Sequence, residues 1–212
     1  MIKPILKSIS NKFHCFYNNK GKEDYKKSEH NKIFIDLGFH FGQGLKKFNK
    51  KLAFDKNWII HVFEPNPLLH PLKGLEHLND LNIIVHKKAA WTKNGFGVFK
   101  QYGANGLSQG SLLQLTGGDK EYDDYFNSVK VETIDFFEFV KSFDESTEIY
   151  IKMDIEWAEY NIIEDFLIRG WPININHIWI EWHGLNNSFF KKKSNFLIEE
   201  IKKTGTNVIK WH

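Results

Sequence analysis

NKIFIDLGFHFGQGLKKFNKKLAFDKNWIIHVFEPNP, running from Asn31 to Pro67, is the stretch whose reading decides the fold. Ile33, Phe34, Ile35 and Leu37 make a short apolar run interrupted by Asp36, and glycines at 38, 42 and 44 then open a segment with helical spacing. The pattern predicts a strand, a glycine-rich turn and a helix. Trp58 to Phe63 is a second apolar run without alternation, as in a strand buried on both faces of a parallel sheet, and it ends at Glu64 before Pro65. The unit is β-α-β with an acid at the tip of its second strand.

Such a unit is specific about ligands. Glycine lets the chain turn sharply and lets a ligand approach the backbone, while the helix that follows offers unpaired N–H groups at its positive end. An acid at the tip of the next strand can accept hydrogen bonds from the vicinal hydroxyls of a ribose. A nucleoside-bearing cofactor across the strand tips is therefore expected. In the dinucleotide fingerprint G-x-G-x-x-G the second glycine admits a pyrophosphate. Here Gly38-Phe39-His40-Phe41-Gly42-Gln43-Gly44 puts His40 in that place, and its bulk argues against one.

Beyond this stretch, 212 residues suffice for one domain with a full hydrophobic core and are short for two. Apolar content is 42%, and no apolar run approaches the roughly 20 residues needed to cross a bilayer, so a soluble globular protein is expected. A net charge of +3 with interspersed signs does not predict nucleic-acid binding. The single cysteine, Cys15, excludes an internal disulfide framework and any cysteine-based zinc site. With no visible secretory signal, a reducing, cytoplasmic setting is the expectation.

In chain order, Ile2, Ile5, Leu6, Ile9, Phe13 and Phe16 share one helical face. They predict an N-terminal helix that packs on the main domain, or docks on a membrane surface or a partner. Residues 18–32 read as a linker, so residues 1–30 form an appendage and 31–212 the principal domain. Pro67 to Leu78 reads as a short helix and Leu81 to Val85 as the third strand. Thr92 to Tyr102 reads as a hairpin built on Lys93-Asn94-Gly95. Gly103 to Gly118 is a long Gly/Ser/Asn-rich loop, read as a segment that closes over the ligands, with Ser108 and Ser111 as contacts, or else as plain disorder. Val129 to Ile134 is a strand, and Asp135 caps a helix after it. Glu148 to Asp154 is a strand ending in charge, with a helix expected from Glu156; Lys152, inside this apolar strand, is expected to pair with a neighbouring acid. His177 to Trp182 is a further strand, followed by a Lys-rich helix from Asn187 to Lys203 and a last strand from Asn207 to Trp211.

The pattern Asp36-Leu37-Gly38, with Glu64 at the next strand end, resembles the first two motifs of class I S-adenosylmethionine-dependent methyltransferases. Ile151-Lys152-Met153-Asp154-Ile155-Glu156-Trp157-Ala158-Glu159 resembles the Lys-x-Asp-x-Glu-Gly-Ala-Glu signature of their FkbM family. The same family shows Glu-Pro as at Glu64-Pro65, Ser-Leu as at Ser111-Leu112 and Thr-x-Asp as at Thr133-Ile134-Asp135. A strand ending in Glu, like that at Glu181, comes last. The resemblance runs from about residue 31 to 184 in the family's order. It departs at Trp157, where the family has Gly, and at Phe39-His40, where the family has Ala-Asn.

The resemblance implies a Rossmann-like α/β fold, a mostly parallel seven-stranded sheet with helices on both faces, here with an extra hairpin. It implies S-adenosyl-L-methionine as cofactor, surrounded by Asp36, Gly38, Phe39, His40, Gly42, Glu64, Pro65, Ala89 and Asp154. The implied reaction is methylation of a hydroxyl, typically of a sugar in a glycan or a nucleotide- or lipid-linked carbohydrate, in association with or fused to glycosyltransferases. Such a displacement needs oxygen, carbon and sulfur in line, and a base for the hydroxyl proton. Asp154, Glu156, Glu181 and His183 are the candidates, since open α/β sheets bind ligands at their C-terminal strand tips. Asp154 is the expected positioner or base and His183 its partner. A divalent cation held by these carboxylates and the histidine is a further reading. Glu159 reads as a helix-dipole acid, and Trp157 and Trp182 as faces for a sugar ring. Two other classes share parts of the pattern. An NAD-dependent oxidoreductase predicts stabilisation by NAD and none by S-adenosylhomocysteine, and a non-catalytic glycan-binding module predicts that Asp154→Ala changes no activity.

Overall fold

A computed structural model describes residues 31–69, 78, 80–102, 109–112 and 125–211. The expected N-terminal helix and linker, most of the helix at Pro67–Leu78, and most of the Gly103–Gly118 loop with Ser108 lie outside the described residues.

Six strands make the main sheet: β1 (Lys32–Leu37), β2 (Trp58–Phe63), β3 (Asn82–His86), β8 (Glu148–Met153), β9 (Ile175–Ile180) and β10 (Asn207–Lys210). Their order is β10-β9-β8-β1-β2-β3, and every neighbouring pair is parallel. Successive residues of β1 point to opposite faces. Ile33, Ile35 and Leu37 join one core and Phe34 the other, which is why the run carries no polar alternation.

Helices cover both faces. On one side α1 (Gln43–Leu52) turns Leu45 and Phe48 inward and its lysines outward. Phe48 stacks against Trp211 and meets Phe34 and Trp179, with ring centroids 4.8 to 4.9 Å apart. On the other side lie α2 (Phe136–Lys141), α3 (Glu159–Arg169) and α4 (Ser188–Lys203). Asp135 caps α2 by accepting from the Glu138 N–H, as expected, and it also pairs with Arg169 at 2.9 Å. Arg169 further pairs with Asp165 and Glu138, so one guanidinium joins the ends of α2 and α3.

The main sheet has six strands among the described residues rather than the expected seven, and the strand expected at Val129–Ile134 is not one of them. That segment is part of β7 (Tyr125–Asp135), which lies in a second sheet with β4 (Ala89–Trp91), β5 (Gly95–Tyr102) and β6 (Gln109–Ser111), in the order β4-β7-β5-β6. The expected hairpin at Thr92–Tyr102 is corrected for the same reason. The Lys93-Asn94-Gly95 turn joins β4 to β5, yet the 11-residue β7 inserts between them, parallel to β4 and antiparallel to β5. Groups of β7 also serve the turn: Thr133 Oγ1 donates to the Lys93 carbonyl and the Asp135 N–H to Asn94 Oδ1, both at 3.0 Å.

From β1 the chain runs outward to β2 and β3, leaves for the second sheet, and returns on the other side of β1 as β8. The strand order reverses at the β1/β8 boundary. In an open parallel sheet this is where a crevice opens at the C-terminal tips.

Candidate functional site

Two backbones touch at the crevice. Gly38 has φ +76°, and a Cβ built there would lie 1.7 Å from the Asp154 carbonyl oxygen. Only glycine fits at that position, for its conformation and for the contact alike. The N–H groups of Gly38 and Phe39 donate to the Phe63 carbonyl, drawing the turn toward the tip of β2.

Glu64 completes that link. Its Oε2 accepts from the His40 N–H at 2.7 Å and its Oε1 from the Asn66 N–H at 2.8 Å. Burial pushes this carboxyl up, against the opposing pull of the two backbone donors. The acid is thus fixed in orientation and each oxygen keeps a lone pair.

Under the turn, Lys152 reaches from β8 to Asp36 at 3.1 Å and to Asp154 at 3.3 Å, and donates to the Gly38 carbonyl at 2.8 Å. Burial alone would lower this ammonium, but the two carboxylates raise it. Asp36 is completely buried, and burial pushes its carboxyl up despite Lys152.

Above these tips lies a cavity of about 310 Å³, bordered by Gly38, Phe39, His40, Glu64, Pro65 and Ala89, and by Asp154, Glu156 and His183. Asp36 and Gly42, also expected around the cofactor, do not line it. Asp36 is the buried counter-ion of Lys152, while Gly42 is the left-handed N-cap of α1 and donates to the Phe39 carbonyl. Both shape the turn from behind.

The far side of the cavity carries the acid–histidine group. His183 Nε2 lies 3.3 Å from Glu156 Oε2, and Nδ1 lies 3.0 Å from Glu159 Oε1. A carboxylate only accepts, so Nδ1 carries a hydrogen and donates to Glu159. Burial opposes protonation of His183, yet Glu159, Glu156 and Asp154 push it up to about 9. Glu156 is pushed up to about 7, by burial first and then by neighbouring acids, with His183 pulling the other way. Ligand atoms of Asp154, Glu156 and His183 all fall within 4.8 Å of one another.

Several expectations change here. The helix expected from Glu156 begins at Glu159, because Glu156 and Trp157 adopt left-handed φ of +51° and +78°. A glycine holds such a φ without strain and a tryptophan does not, which accounts physically for the family residue at 157. Ser111, expected as a ligand contact, is buried and instead donates from Oγ to the Glu156 carbonyl at 2.7 Å, holding this strained pair. Trp157 and Trp182 do not line the cavity. The Trp157 ring lies where a Cβ of Gly184 would be and packs against Phe190, while Trp182 is buried beside Tyr160. Glu159, read as a dipole acid, is fully buried and accepts from the Ile155 N–H as well as from His183. Lys152 meets acids, as expected.

Other lining residues were missed. Asn66 borders the cavity and accepts from Gln101 Nε2 at 2.7 Å, a buried link between the β2 tip and the second sheet. Phe99 and Leu112 add apolar wall from that sheet, and Trp211 arrives from beyond β10. Nothing local in the sequence marks Phe99 or Trp211, since each reaches the cavity through long-range strand pairing.

A family model described as the methyltransferase FkbM domain matches residues 36–207. No curated protein and no solved structure matches the chain. No helix among the described residues is long and apolar enough to cross a membrane.

Proposed function

The chain belongs to the FkbM methyltransferase family, and on that premise we propose that it is an S-adenosylmethionine-dependent O-methyltransferase acting on a hydroxyl of a sugar, in a glycan or glycoconjugate. The observation that supports this reading is the meeting of Gly38, Glu64 and Asp154 along one rim of the cavity. The residues present fit a nucleoside: a backbone turn that excludes any side chain at Gly38, then an oriented, buried acid with free lone pairs at Glu64. In this reading Glu64 accepts from the ribose hydroxyls and the Gly38–His40 turn holds the amino acid end. When bound, S-adenosylmethionine supplies a sulfonium methyl group open to in-line displacement by oxygen. The protein's share is alignment and proton removal. Asp154, at the tip beside Gly38, positions the acceptor hydroxyl and takes its proton, with His183 as partner, its ring held by Glu159. The lone cysteine, Cys15, supports a cytoplasmic setting.

Calorimetric titration with S-adenosylhomocysteine tests the cofactor, and methyl-labelled S-adenosylmethionine with a panel of glycans, read by mass spectrometry, tests the acceptor. Saturable binding and label on a sugar oxygen are expected. Stabilisation by NAD with no binding of S-adenosylhomocysteine would overturn the reading.

A further inference from the structure

We infer that Asp154, Glu156 and His183 form a divalent-cation site on the acceptor side of the cavity, taking a hard or borderline ion of the Mg²⁺/Mn²⁺ class. The spacing fits such an ion. Two ligands at right angles on an octahedral ion, each at about 2.1–2.4 Å, stand about 3.0–3.4 Å apart, and two opposite ones about 4.2–4.8 Å. Glu156 Oε2 and His183 Nε2 are separated by 3.3 Å, and the whole set falls within 4.8 Å.

The histidine is prepared for the role. Because Nδ1 donates to the fully buried Glu159, Nε2 is the nitrogen left to face the cavity. A histidine ligand whose other nitrogen donates to a carboxylate is the usual outer-shell arrangement of metal-binding histidines, one that fixes the ring and raises its basicity. Glu159 is itself anchored by the Ile155 N–H at 2.9 Å, so ring, outer acid and backbone form one connected unit. Ser111 does the same for Glu156 by fixing the carbonyl of a left-handed residue. Two carboxylates and one imidazole, with no thiolate, select oxygen-preferring ions over soft ones.

Three protein ligands leave coordination positions for other oxygens, which suits adjacent hydroxyls of a sugar. The ion's role with the acceptor rests on the methyltransferase reading above; the site itself rests on the geometry.

The test is a titration of the full-length, chelator-stripped protein with MnCl₂, with free Mn²⁺ followed by electron paramagnetic resonance. One Mn²⁺ per chain is expected. Glu156→Gln should weaken it at least tenfold, and Glu159→Gln about tenfold through the outer shell. Asp154→Asn is the second ligand variant should Glu156→Gln fail to fold. Binding of S-adenosylhomocysteine, measured on the same samples, should persist in Glu156→Gln. Absence of stoichiometric Mn²⁺ binding in the unaltered protein, or equal affinity in folded ligand variants, overturns the site. Loss of S-adenosylhomocysteine binding with Mn²⁺ binding intact would instead overturn the methyltransferase reading alone.

Discussion

Replacing Lys152 with Met should cost more stability than any other single truncation around the cavity. Asp36 is completely buried, and the Lys152 ammonium at 3.1 Å is its one polar partner among the described residues. Removing one member of a buried ion pair leaves an uncompensated charge and typically costs about 3–5 kcal/mol. For a chain of this size each kcal/mol moves the melting temperature by about 2–4 °C, so a fall of roughly 6–20 °C is expected. Methionine fills much of the same volume, which keeps cavity formation from dominating the loss. Thermal melts and urea unfolding followed by tryptophan fluorescence measure it. The double variant Asp36→Asn/Lys152→Met removes the orphaned charge and should recover about 2 kcal/mol relative to Lys152→Met, a coupling that a double-mutant cycle isolates. If Lys152→Met costs less than about 1 kcal/mol, or if the two single losses simply add, the ammonium is not what neutralises Asp36.

Gly38→Ala must push its new methyl away from the Asp154 carbonyl while holding a left-handed backbone. It should lose at least about 2 kcal/mol by urea unfolding and weaken S-adenosylhomocysteine more than tenfold; an unchanged protein would show that the two tips are not in contact. Glu64→Gln keeps an oxygen for one backbone donor but removes the charge. Calorimetry should find S-adenosylhomocysteine bound about 10- to 100-fold more weakly, the worth of one charged hydrogen-bonding group. His61 Nδ1 and His86 Nε2 lie 2.9 Å apart among Phe63, Phe139 and Phe143. Burial holds both rings below their ordinary range, with His61 further lowered by His86, and His86 pulled down to about 4 with help from Lys88. The unfolded chain therefore takes up protons first as pH falls. Their contribution is complete above about pH 6.5 and is lost as pH drops toward 4, by up to about 3 kcal/mol for His86. Unfolding between pH 7 and 4.5 measures it, and His86→Phe should flatten the dependence.

Elements of the main sheet were legible where a local run settles its own burial. β1, β2 and β8 are apolar on both faces because helices cover both faces, and Asp135 sits three residues before the N–H it caps. Lys152 was legible as a paired ammonium, since an apolar strand cannot hide a free one. Its buried partner at Asp36 is 116 positions away and only sheet order brings the two together. The Lys-Asn-Gly turn was read as a hairpin because a turn signal says where a chain reverses and not which strand fills the space beside it. β7 filled it. Around the cavity, Gly38, Glu64 and Asp154 each sit at a strand end that the apolar runs mark. Ser111 and Trp157 were misassigned because their roles depend on a left-handed pair at residues 156 and 157, a conformation that neither side chain advertises.

The two-sheet construction also says where a protein engineer should work. Phe99 and Gly110 belong to β5 and β6, and the Phe99 ring fills the place a Cβ on Gly110 would take, 2.1 Å from its nearest atom. These positions must be randomised as a linked pair, for enlarging one evicts the other. A library confined to residues 99, 110 and 112 would redraw the cavity's outline from the second sheet while leaving Gly38 and Glu64 untouched.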